Sequence, residues 1–116
     1  MATKAFLISQ ILNELGIWES GQDMVPEDYR KVEEGLPFRL LAMARAEIYT
    51  VDDIDNVPDD AVIEIARYQA GEYATTFGLE GEEMQTCLAQ AGAAEQALRF
   101  LRARGPTYVR QRAEYF

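Results

Sequence analysis

Asp53, Asp55 and Glu64 fall at positions one, three and twelve of the calcium-loop pattern, a spacing that gathers hard oxygen donors around one cation. Position five is Val57 and position six is Pro58, where such a loop needs another ligand and a glycine. The segment therefore reads as a solvated turn whose acids start the next helix, and no metal is expected. The adjacent pairs Glu33-Glu34, Asp52-Asp53 and Glu82-Glu83 diverge around a helix or loop, so they read as surface charge, not as an acid/base pair. The chain has no histidine, the commonest proton-transfer group near neutral pH. Cys87 lies on an apolar stripe, where a thiol acts as a small hydrophobe. The glycines form neither a dinucleotide fingerprint nor a phosphate loop. No catalytic residues, no cofactor and no enzyme activity are expected.

The chemistry that remains is charge. Arg99 to Phe116 holds five arginines and one acid, about +4, whereas the rest of the chain is about −13, for a net charge of −9. A basic, aromatic end on an acidic body suits docking on another copy or on a different partner. Ordering about twelve residues costs on the order of 12 to 24 kcal/mol of backbone entropy. Three aromatics burying about 150 to 250 Å² each return roughly 11 to 19 kcal/mol. The two nearly cancel, so the segment is expected to order when a partner adds hydrogen bonds and arginine–carboxylate contacts. Thr107 to Phe116 is mostly strand-compatible, which makes addition to a neighbour's sheet edge one mode.

The elements that position this end are helical. Leu7, Ile8, Ile11, Leu12 and Leu15 recur at helical spacing between Thr3, a cap, and Gly16, a terminator. Pro26-Glu27-Asp28 starts a second helix with stripe Tyr29, Val32, Leu36, Leu40 and Met43, and Gly35 and Pro37 predict a kink or break near 34–37. After a turn-rich linker, Ile63, Ala66, Ala70, Tyr73, Ala74 and Phe77 define a third helix that Gly78 closes. A fourth spans about Glu80 to Arg104, with Met84, Cys87, Leu88, Ala91, Leu98 and Leu101 on one face, and Gly105-Pro106 stops it. The expected fold is an all-α bundle of about four helices, one domain over residues 1–104, with an extended arm over 105–116. At 116 residues it can bury a core without metal or disulfide. One cysteine and no leader-like start point to a reducing cytoplasm, and no apolar run nears the roughly 20 residues of a membrane span.

Three stretches together resemble the head-completion, or head-to-tail adaptor, proteins of tailed bacteriophages, of the packaged-DNA-stabilisation and tail-accessory type. They are Ile11 to Ile17 followed by Gly21-Gln22 and Pro26 to Tyr29; Val57 to Ala61 leading through Ala66-Arg67-Tyr68 to Thr76-Phe77-Gly78; and the Ala94 to Arg104 helix with Tyr108 and Tyr115-Phe116. The resemblance implies an adaptor present in many copies, commonly twelve, beneath the portal protein. There it extends the DNA channel and offers a platform for the next tail or nozzle protein. It implies a virion location after assembly in the host cytoplasm. It also implies a partner interface, toward the portal or a neighbouring subunit, at Arg99, Arg102, Arg104, Tyr108, Arg110, Arg112, Tyr115 and Phe116. An acidic body fits a channel through which DNA passes without sequence-specific binding, because it repels phosphate. The alternative is a small cytosolic helical regulator or antitoxin-like protein that uses the basic arm on its partner.

Overall fold

The computed structural model describes the backbone of residues 1–114 and the side chains of residues 1–103. Four helices, α1 (Lys4–Glu14), α2 (Pro26–Arg45), α3 (Val62–Tyr73) and α4 (Gly81–Glu114), make the fold all-α. In α1 the Thr3 hydroxyl accepts from the Phe6 amide at 3.2 Å, satisfying one of the donors a helix start leaves open. The end of α1 is closed by Gly16 at φ +78°, with the Ile17 amide donating to the Leu12 carbonyl. Leu7, Ile8, Ile11, Leu12 and Leu15 are all buried, as their spacing predicts.

α2 runs unbroken from Pro26 through Pro37 to Arg45, so of the expected kink or break at 34–37 the break does not occur. A long-range contact supports that turn. The Tyr73 hydroxyl, from α3, donates to the Val32 carbonyl at 2.8 Å, and Gly35 makes room for it, since a Cβ there would lie 3.2 Å from the same oxygen. The Arg39 guanidinium lies 4.4 Å above the Tyr73 ring and 3.7 Å from the Glu72 carboxylate, holding the two helices together on either side. Gln69 is wholly buried between them. Its amide donates to the Arg39 carbonyl at 3.5 Å and its Oε1 has no protein partner.

The third helix buries Val62, Ile65, Ala66, Gln69, Ala70 and Tyr73, while Ile63 of the expected stripe is only partly covered. Its regular part ends at Tyr73, and a further turn closes at Gly78 (φ +75°) where the Leu79 amide donates to the Ala74 carbonyl. α3 and α4 approach closely at Gly71, whose missing Cβ would sit 2.5 Å from the Ala91 Cβ. That contact fixes the rotation of α4. Cys87, Ala94 and Leu98 turn inward, and Met84 and Leu101 pack at the edge of the core. Leu88, expected in the core, is instead about half exposed because it lies to one side of this seam.

α4 continues past Gly105-Pro106, where a stop was expected, so the backbone of the carboxyl-terminal arm is helical to Glu114. A proline inside a helix forfeits one backbone hydrogen bond but does not forbid the helix, as Pro37 also demonstrates. At about 1.5 Å per residue, 34 residues make a helix about 51 Å long, which matches the 51 Å long axis of the molecule against 26 and 25 Å for the others. At the other terminus, Ala2 exchanges two backbone hydrogen bonds with Val57, both 2.8 Å, and the Met1 ammonium lies 3.3 Å from the Asp59 carboxylate. The linker between α2 and α3 is thereby anchored on the bundle. Among the described residues, no helix is long and apolar enough to cross a membrane.

Candidate partner interface

The described part of the expected interface begins at Arg99. Its guanidinium lies 3.1 Å from the Glu95 carboxylate one turn back, and its Nη1 donates to the Glu47 carbonyl at 3.4 Å. Glu47 follows the end of α2 with φ +60°, the left-handed position usually taken by glycine, and the Ile48 amide closes the motif on the Met43 carbonyl. Arg99 therefore satisfies an open carbonyl of the α2 terminus and binds α4 to α2. Its charge is engaged within its own subunit while the side chain stays about half exposed.

Arg102 lies three residues further on, exposed, on the wall of a groove of about 500 Å³ between α4 and the α2–α3 linker. Leu101, Tyr49 and Pro58 form its apolar wall, and Asp52 and Asp53 stand on the linker side. The linker folds this way because Asp53 accepts from the Asp55 amide at 3.0 Å and from the Asn56 side chain at 2.8 Å, a local turn made by an aspartate. Those two donors hold the Asp53 carboxyl below its ordinary range, the Asn56 contact most strongly. The same carboxylate that suggested a calcium loop thus serves the turn. Residues 52–60 contain five aspartates and no basic residue. Burial pushes the Tyr49 phenol upward, with the charges of Asp60 and Asp52 adding to the effect, as expected of a negative surface.

A second hollow, about 330 Å³, lies on the other side of the linker against α2, lined by Pro37, Leu41, Val51 and Ile54 and sharing Thr50 and Asp52 with the first. Phe38 beside it is 75% exposed, a large apolar surface for a bundle of this size. A cleft of about 450 Å³ at the opposite end of α4 is lined by Glu14, Glu82, Glu83 and Cys87, among others. Burial, and then Glu14, push that thiol upward, so it is held as the poorly nucleophilic neutral form. Glu14 is turned toward Arg67 at 3.5 Å, and among the described residues no three His, Cys, Asp or Glu side chains gather as metal ligands do.

No family model, curated protein or solved structure matches the chain. Of the eight assigned by sequence, Arg99 and Arg102 sit on the same end of the bundle, one engaged and one exposed. The side chains of Arg104, Tyr108, Arg110 and Arg112, and Tyr115 and Phe116 altogether, lie outside the described residues. Sequence reasoning missed the groove that Tyr49, Pro58 and Leu101 form with Asp52 and Asp53. The run of five aspartates was visible, but its position next to the root of the basic arm depends on the fold.

Proposed function

We propose that the chain is a structural, non-enzymatic virion protein: a head-to-tail adaptor whose copies form a ring, commonly of twelve in the family it resembles. The ring binds the portal, extends the DNA channel and presents a platform for the next tail or nozzle protein. The observation that carries this reading is the polarity of the molecule. A single helix of 34 residues runs from the acidic, core-bearing part of the chain to a carboxyl-terminal segment rich in arginine and aromatics. Leu101 is the last residue of that helix packed on the core among the described residues. The basic segment thus lies at one end of a long helix, a geometry suited to joining polypeptides end to end. An acidic body adds the second requirement, a wall that does not retain DNA by counterion release.

The test is direct. Purified virions probed by mass spectrometry and by labelled antibody should contain this chain at the head–tail vertex, and the genes beside its own should encode portal, capsid and tail proteins. Particles that lack the chain, or a chromosomal setting without phage structural genes, contradict the proposal.

A further inference from the structure

We propose that the groove beside α4 receives the carboxyl-terminal segment of a second copy of this chain, with Arg110 or Arg112 set against Asp52 and an arm aromatic against Tyr49, Pro58 and Leu101. This rests on the ring reading above and names the contact that links neighbouring copies.

Two arguments select the occupant. The first is reach. The groove lies beside Leu101 and Arg102, and the helical backbone carries the same copy's residues onward for about 18 Å from Arg102 to Glu114. The described backbone leaves the groove along the axis of α4, which favours a segment of another molecule as its occupant.

The second is charge. The linker presents Asp52, Asp53, Asp55, Asp59 and Asp60, of which Asp59 is paired with the Met1 ammonium and Asp53 holds its own turn. Asp52 is exposed at the junction of both hollows, and among the described residues the cation on the α4 wall is Arg102. The arm offers arginines and three aromatics, and arginine paired with carboxylate over an apolar floor is favoured at the partly desolvated centre of an interface. An acidic partner, or the acidic face of this same chain, is repelled by that loop. The basic end of the chain is the complement.

The contact also has the right symmetry. Arm and groove are different surfaces, so each copy uses its arm on one neighbour and its groove on the other. A contact of this head-to-tail kind closes into a ring when the rotation between copies divides a full turn.

The experiment uses the full-length chain with Tyr108 replaced by photoreactive p-benzoylphenylalanine, mixed with isotopically heavy copies and illuminated. The expected products are heavy–light peptides joining the arm to residues 49–58. Asp52→Lys in the heavy copies should lower their yield by about tenfold, and Arg110→Glu with Arg112→Glu in the light copies should restore it. Among the described residues Asp52 makes no hydrogen bond that holds the linker, and far-ultraviolet circular dichroism of Asp52→Lys should match the parent. Cross-links confined to a single chain, cross-links to another polypeptide with residues 49–58 untouched, or a yield indifferent to Asp52→Lys overturn the proposal. If virions carry the chain at the vertex while these links are missing, this contact falls and the adaptor reading stands. If the links form but virions lack the chain, the adaptor reading falls.

Discussion

The Tyr73 hydroxyl donates a 2.8 Å hydrogen bond to the Val32 carbonyl, joining α3 to the turn of α2 that precedes Pro37. Tyr73 is buried, and a Cβ added at Gly35 would lie 3.2 Å from its oxygen. Removing the donor with Tyr73→Phe should cost about 1 to 2 kcal/mol in urea unfolding, as expected for a buried carbonyl that loses a partner. Gly35→Ala should fail to stabilise the parent, because its methyl group meets that oxygen, yet stabilise the Tyr73→Phe protein by up to about 1 kcal/mol through helix propensity. Additive effects of the two changes would show that the hydroxyl does not constrain Gly35.

Two other glycines make a matched test of the helix seam. A Cβ on Gly71 would meet Ala91 at 2.5 Å, whereas a Cβ on Gly92 would meet nothing within 4 Å. Gly71→Ala should destabilise by about 1 to 3 kcal/mol through forced separation of α3 and α4. Gly92→Ala should stabilise by roughly 1 kcal/mol. Equal effects of one sign in thermal or urea unfolding would contradict the packing.

Sequence reading recovered what local physics decides. The Thr3 cap, the α1 stripe, the Gly16 terminator and the proline-plus-acid start of α2 depend on neighbours within a few residues, and each is where its spacing places it. The continuity of α2 through Pro37 is not legible in the local sequence, because the support for that turn comes from Tyr73, on another helix. Leu88 was misread because the close approach of Gly71 and Ala91 sets which side of α4 faces inward. The same limit applies at the interface. The basic end was visible as composition, but the use of Arg99 on the Glu47 carbonyl and the assembly of a groove from Tyr49, Pro58 and Leu101 depend on contacts between distant segments.

The titrating groups of the core predict sensitivity to alkali. Burial raises the thiol of Cys87 and the phenols of Tyr49, Tyr68 and Tyr73 above their ordinary values. Each such group keeps its proton in the folded chain at a pH where the unfolded chain has lost it. Its contribution is thus complete below the unfolded values, about 8.5 for a thiol and about 10 for a phenol, and is lost as pH rises through the folded ones. Urea midpoints should fall progressively above about pH 8.5, with the Cys87→Ala protein lacking the earliest part of the decline. A thiol reagent at pH 8 should label Cys87 far more slowly in the native protein than in denaturant. Equal labelling rates would place the thiol outside the core.

The central claim is that the carboxyl-terminal segment serves another polypeptide and not its own bundle, and the most direct measurement is incorporation of a chain lacking Pro106–Phe116 into particles. The account predicts that this protein, with an unchanged unfolding temperature within about 3 °C, is present in purified virions at under a tenth of the full-length amount. Incorporation equal to that of the full-length chain, or a truncated protein that no longer folds, would contradict it.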